Sequence, residues 1–109
     1  MYNSPFTPFG PTYLVGTSAV QVASSNNDNP TSYRIRNTSA SVQYIAWAPP
    51  VPGNATPTIT VAAPTAGVPK RATMGFLPSS VEVIGGIPAN AWFQADGAGA
   101  FEVTPGEGL

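Results

Sequence analysis

Prolines and glycines recur so often along this chain that no helix of ordinary length fits between them. The 109 residues include 13 prolines and 11 glycines, and these interrupt every stretch in which apolar residues might repeat with the 3.6-residue period of a helix. Proline breaks a helix because it lacks an N–H group and fixes φ. The short runs between the interruptions are rich in β-branched and aromatic residues. We therefore expect an all-β protein with little or no helix.

Residues 33–48, YRIRNTSASVQYIAWA, form the stretch around which we expect the domain to be organised. Side chains alternate across a strand, so Arg34 and Arg36 share one face of the first run. Small polar residues at 37–41 favour a turn, and two prolines end the second run after it. The stretch therefore predicts a central β-hairpin.

The same alternation predicts further strands over residues 13–23, 58–62, 73–77, 80–84, 91–95 and 100–104. Gly16 indicates a bulge or break in the first of these. Residues 96–99, DGAG, have the composition of a hairpin loop, and residues 105–109 are expected to form a tail. These spacings predict one domain over residues 13–109, an antiparallel β-sandwich or jelly-roll-like barrel of about seven to eight short strands.

The first twelve residues, MYNSPFTPFGPT, predict an extended N-terminal arm, residues 1–12, because its three prolines hold the chain extended. Tyr2, Phe6 and Phe9 are large apolar side chains on a segment that has little core of its own. Two interpretations stand side by side. The aromatic residues fold back onto the sheet of their own domain, or they anchor the arm on a neighbouring subunit.

The scarcity of charge says what kind of surface the chain presents. Only 8% of the residues are charged, whereas about a quarter is typical. An uncharged polar surface loses its hydration cheaply, which favours a protein that works packed against copies of itself or other subunits. The alternative is a merely neutral secreted domain.

The sequence has no features typical of proteins that bind nucleic acid or membranes. The net charge of −1 supplies no basic surface for nucleic acid or anionic lipid, and no apolar run is long enough to span a bilayer. The N-terminus lacks the basic start and apolar core of a secretory signal. We therefore expect no nucleic-acid or membrane partner, and synthesis in a cytoplasm.

The chain is poor in the groups that perform chemistry. It has no histidine and no cysteine, which removes the commonest general base and the usual zinc ligands. The loop at 24–30 offers a single carboxylate, Asp28, and lacks the calcium-loop pattern. Glu82 and Glu102 form a conceivable glycosidase-like pair, although strand alternation favours two outward-facing surface charges. We expect no catalytic, metal or cofactor-binding residues, and no enzyme.

The two tryptophans allow a further alternative. Exposed on a sheet, Trp47 and Trp92 would form a platform on which sugars stack. Packing in the core or at an interface is the simpler interpretation, because tryptophan buries a large area. No cluster of polar residues suited to sugar hydroxyls stands beside either residue.

Short motifs along the second part of the chain form a recognisable order. They are RIRNT (34–38), VQYIAW (42–47), VEVI (81–84), PANAWF (88–93) and FEVTPGEG (101–108). Over about residues 32–109, this order resembles small virion proteins of tailed bacteriophages. The resemblance implies a β-sandwich accessory protein of the capsid, such as a decoration or cement protein, often trimeric, and carries over no catalytic residue.

The function expected from the resemblance is therefore structural. The protein would be made in the host cytoplasm, bind the major capsid protein in the assembled phage head as a homotrimer, and stabilise the shell by bridging capsomers at the virion surface. Tyr2, Phe6 and Phe9 would anchor its arm. The alternative is a tail or fibre accessory module that binds host-surface glycans.

Overall fold

The computed structural model of the chain describes residues 6–24, 30–61 and 73–107. These residues form nine β-strands and one 3-10 turn, η1 (Pro52–Asn54), and they contain no α-helix, which confirms the all-β prediction. The strands are β1 (Thr7–Pro8), β2 (Tyr13–Val15), β3 (Val20–Gln21), β4 (Ser32–Asn37), β5 (Gln43–Ala48), β6 (Thr73–Phe76), β7 (Val81–Gly85), β8 (Trp92–Ala95) and β9 (Phe101–Glu107).

The strands form two antiparallel sheets. The first sheet has the order β1-β9-β4-β7, and β2 also pairs with β9. β1 and β2 therefore act as one interrupted edge strand. The second sheet has the order β3-β8-β5-β6. From β2 onward, successive strands alternate between the sheets except at β5–β6, which is the strand order of a jelly roll. The structure thus confirms the predicted antiparallel sandwich.

The core lies between the inner faces of the two sheets. Two edge-to-face aromatic pairs cross it: Tyr33 and Phe93 have ring centroids 5.0 Å apart, and Phe76 and Phe101 lie 5.3 Å apart. The Tyr33 hydroxyl donates a hydrogen bond of 2.7 Å to the carbonyl oxygen of Pro88. Burial raises the pKa of Tyr33 above its ordinary value, so this hydroxyl keeps its proton at neutral pH.

Both predicted hairpins are wrong. β4 lies in the first sheet and β5 in the second, and the loop at 96–99 likewise joins β8 in the second sheet to β9 in the first. Alternation shows which side of each strand is buried, but two strands with matching apolar sides can lie side by side in one sheet or face each other across the core. Here each short connection crosses from one sheet to the other.

The side chain of Asn37 holds the crossing between β4 and β5. It is fully buried, and its Nδ2 donates to the carbonyl oxygens of Ser41, Phe76 and Leu77 at 3.0, 3.1 and 3.0 Å. Its Oδ1 accepts a hydrogen bond of 2.9 Å from the N–H of Ser39. One amide thereby satisfies backbone groups of the crossing and of the end of β6.

Three other predictions from the sequence need correction. The predicted run at 13–23 splits near Gly16 into β2 and β3, which join different sheets. Residues 58–61 form no strand, and residue 62 lies outside the described residues. The predicted tail is partly wrong, because residues 105–107 continue β9 and pair with β4; residues 108 and 109 are outside the described chain.

Pro105 explains why the edge strand is interrupted. Its carbonyl oxygen accepts a 2.8 Å hydrogen bond from the N–H of Phe9, so this side of the residue faces the arm. In an antiparallel ladder the N–H and C=O of one residue point to the same neighbour. The N–H that proline lacks would therefore point at the gap between β1 and β2, and the ladder to β4 loses nothing.

We predict that Asn37→Ala lowers the free energy of unfolding by about 2–4 kcal/mol, because it leaves several buried backbone groups without partners. Urea denaturation followed by tryptophan fluorescence measures the change. Thr38→Ala is the matched control. The Thr38 hydroxyl also donates to carbonyl oxygens, those of Gly99 and Ala100 at 3.0 and 3.1 Å, but the residue is exposed, so its loss should cost under about 1 kcal/mol. Equal losses in the two variants would contradict this role of Asn37.

Candidate functional site

The charged residues are distributed unequally between the two sheets. Within the described residues, all charges that lie on strands belong to the first sheet, and the strands of the second sheet carry none. The charged strand residues are Arg34, Arg36, Glu82, Glu102 and Glu107. The charged side chains of the described strands therefore lie on the first sheet, to which the arm also belongs.

The described part of the arm runs along β9. Thr7 pairs with Glu107 and Pro8 pairs with Gly106 in an antiparallel register. The ring of Phe6 lies against Gly106, so that a β-carbon at Gly106 would stand 2.5 Å from the Phe6 Cζ atom and would collide with the carbonyl oxygen of Thr7. The arm can occupy this position only because residue 106 has no side chain.

The structure describes two of the three predicted arm anchors. Tyr2 lies outside the described residues. Phe6 and Phe9 are half-buried on β9 of their own chain, which is one of the two arrangements that the sequence left open. An anchoring role on a neighbouring subunit stays a prediction for all three.

A pocket of about 290 Å³ opens between the arm and the outer face of the first sheet. The hydroxyl oxygens of Thr12 and Thr104 form a hydrogen bond of 2.7 Å in its lining. Arg34 pairs with Thr104 in the strand register, so its side chain rises beside this pair of hydroxyls. We call this site the arm pocket; it is lined by Phe6, Pro8, Gly10, Thr12, Arg34 and Thr104.

The two arginines of β4 share one face, as predicted, and the structure shows that it is the outer face. Their surroundings differ. Arg36 stands opposite Glu102 in the register and forms an exposed ion pair with it, with 3.3 Å between Nη1 and Oε1. Arg34 stands between Thr104 and Val83 and has no hydrogen-bond or ion-pair partner among the described residues. One guanidinium is therefore matched with a carboxylate and the other is not.

The structure does not bring Glu82 and Glu102 together as a pair. Glu102 lies on the outer face beside Arg36, whereas Glu82 stands opposite the buried Ile35 and so points to the inner side. The prediction that Glu82 faces outward from its sheet is therefore wrong, and Val81 on the same strand takes the outer face. Glu82 is still exposed, because β7 is the edge strand. An inward-pointing charge at an edge discourages pairing with another sheet.

The two tryptophans do not form a shared platform. Trp47 packs against the core from the inner face of the second sheet. Trp92 pairs with Ala48, one residue along from the Trp47–Phe93 pair, and so occupies the outer face. It is half-buried there, and its indole nitrogen is covered without a hydrogen-bond partner in the described structure.

The described ranges contain no group of three or more potential metal ligands. No helix there is both long and apolar enough to cross a membrane. Asp28 and its loop residues 25–29 lie outside these ranges.

Comparison with known proteins adds no relative. No family model, no curated protein and no solved structure matches the chain.

Sequence reasoning missed the arm pocket. Arg34 was recognisable as a residue on a polar face, but its neighbours Thr12 and Thr104 come from distant parts of the chain. The one local signal was Gly106, a residue without a side chain in a segment interpreted as a tail.

We predict that Gly106→Ala displaces the arm, because overpacking of this kind costs about 1–3 kcal/mol. Chymotryptic cleavage after Phe6 and Phe9 should then become about tenfold faster or more, since cleavage follows the population of the undocked arm. Gly97→Ala is the control, because a β-carbon there meets chiefly the flexible end of the Gln43 side chain. Unchanged cleavage in Gly106→Ala would show that the arm does not depend on this contact.

Proposed function

We propose that this chain is a structural virion protein, a decoration or cement protein that binds the assembled head of a tailed phage and bridges its capsomers as a homotrimer. The observation that carries the proposal is a chain with very few charged residues, 8%, whose described strand charges are confined to one of the two sheets. Burying an uncharged surface against other subunits has a low desolvation cost, because few charged groups lose their hydration.

The fold supports the same class of protein. Jelly rolls are a recurrent architecture of viral capsid and lectin domains. A fold alone does not define a function, so this support is secondary to the distribution of charge. The resemblance of residues 32–109 to small phage virion proteins points in the same direction.

The proposed mechanism is thermodynamic. A protein that binds the assembled shell, and not the separate capsomers, stabilises the shell in proportion to the logarithm of its free concentration. A trimer that contacts three neighbouring capsomers gains further, because the second and third contacts form at a high effective concentration. No catalytic group and no cofactor enters this mechanism.

In this proposal, the arm makes the contact between the domain and a neighbouring subunit. Its described part is held by a two-residue ladder on β9, by the Phe9–Pro105 and Thr12–Thr104 hydrogen bonds, and by the Phe6–Gly106 contact. None of residues 6–12 belongs to the hydrophobic core cluster. The arm can therefore leave its own β9 and lie on the β9 of a neighbour without disturbing the core, and there it would complete the neighbour's arm pocket. Tyr2, Phe6 and Phe9 are its proposed anchors.

We predict that deletion of residues 1–12 weakens shell binding about tenfold or more while the domain stays folded. Co-sedimentation with empty heads of the phage that encodes the chain measures binding, and near-UV circular dichroism reports the fold. A full-length variant with Tyr2, Phe6 and Phe9 changed to serine separates the aromatic contacts from the length of the arm. Equal binding by the truncated and complete chains would rule out the arm as the anchor.

A tail or fibre module that binds host-surface glycans is the second candidate. The polar groups of the arm pocket support it, because an arginine and two hydroxyls in a concave site can hold a polar ligand. A glycan array probed with the complete protein tests it. Binding that Trp92→Ala or Arg34→Gln abolishes, together with no binding to shells, would support this candidate over the first.

A further inference from the structure

We propose that the arm pocket binds a carboxylate of a protein partner, an acidic side chain or a chain terminus that the shell presents. This inference rests on the proposed shell-binding function and names the chemistry of one contact within it.

The comparison of Arg34 with Arg36 supports an incoming carboxylate. Both arginines lie on the same strand and the same face, and both are exposed. Arg36 has Glu102 opposite it at 3.3 Å. At the equivalent position opposite Arg34 stands Thr104, which cannot neutralise a guanidinium. The first sheet thus places the guanidinium of Arg34 at the arm pocket without a carboxylate opposite it.

The side chains that line the pocket offer mainly hydrogen-bond donors. A guanidinium offers up to five N–H groups and no acceptor. The Thr12–Thr104 hydrogen bond uses one of two hydroxyl protons, which leaves the other available. Within the described lining there is no carboxylate and no carboxamide side chain. An ionised carboxylate, which only accepts hydrogen bonds, matches this set, and it binds arginine in a two-pronged geometry.

The apolar part of the pocket favours a protein over a sugar. Phe6 and Pro8 line one part of the pocket and suit the methylene groups of an acidic side chain or a stretch of backbone. An acidic sugar also presents several hydroxyl groups, which need acceptors as well as donors. The described side chains of the lining offer only the two threonine hydroxyls as acceptors, and these already bond each other. A polyanion is disfavoured because the whole chain has a net charge of −1.

The direct test is an NMR titration of the complete ¹⁵N-labelled protein with N-acetyl-glutamic acid amide. We expect the Arg34 side-chain Nε–H and the Thr12 and Thr104 amides to shift, and the Arg36 Nε–H to stay in place. The matched probe N-acetyl-glutamine amide, which has the same shape without the charge, should produce no shifts. Absence of shifts with the glutamic acid probe would overturn the proposal, whether or not the protein binds shells.

Two further probes separate the possible sources of the anion. Glucuronate carries a carboxylate on a sugar, and inorganic phosphate carries a different anion. Saturation by either at a lower concentration than the glutamic acid probe would overturn the proposal, in favour of an acidic glycan in the first case and a phosphate site in the second. Weaker binding of both supports it.

A pair of variants then connects the pocket to the shell. Arg34→Gln should reduce shell binding about tenfold, as expected for loss of a charge-assisted contact. Arg36→Gln removes the same charge from the same strand and face and should bind as the original protein does. Equal binding by both variants would exclude the pocket from the shell contact.

The failures of the two proposals are distinguishable. If the original protein does not bind shells, the proposed function fails, and the titration alone still decides whether the pocket accepts a carboxylate. If shells are bound but the titration is silent, the proposed function stands and the carboxylate site is overturned.

Discussion

The contact between the inner faces of the two sheets is the interaction on which the rest of the structure depends. Hydrogen-bonded ladders hold each sheet together, but neither sheet hides its apolar face alone. The aromatic pairs Tyr33–Phe93 and Phe76–Phe101 each join one residue of the first sheet to one of the second. Because the core occupies the inner faces, the outer faces are free to differ in chemistry, and they do.

The unequal distribution of charge between the two sheets connects the fold to the proposed function. The first sheet carries the strand charges of the described chain, and its outer face holds Arg34, Arg36, Glu102 and the arm pocket. The strands of the second sheet have no charged residue in the described chain. A charged, grooved face is suited to specific contacts, and an uncharged face is suited to burial against another subunit. One small domain can in this way combine adhesion with selectivity.

Alternation and turn chemistry predicted the class of fold and most of its strands, including the two runs of residues 33–48. They could not predict which strands are neighbours. Two strands with apolar sides, at 33–37 and 43–48, can form a hairpin in one sheet or lie in different sheets. The buried amide of Asn37 stabilises the crossing between sheets, and it does so by binding residues about forty positions away.

The candidate site shows the same limit more strongly. The shared face of Arg34 and Arg36 followed from their spacing, but their unequal partners follow from the register against β9, which puts Glu102 opposite one and Thr104 opposite the other. The place of the arm depends on Gly106, within a segment whose composition is typical of a tail. Sequence patterns describe each strand, whereas the site is a property of strands brought together.

We expect this protein to work by adhesion, and native mass spectrometry would detect that association directly. Spectra of the purified protein, alone and mixed with empty phage heads, would count the chains in each particle. We expect a free species of three 11.2 kDa chains that disappears from solution as the heads gain mass. A single chain at micromolar concentration that leaves the mass of the heads unchanged would contradict it.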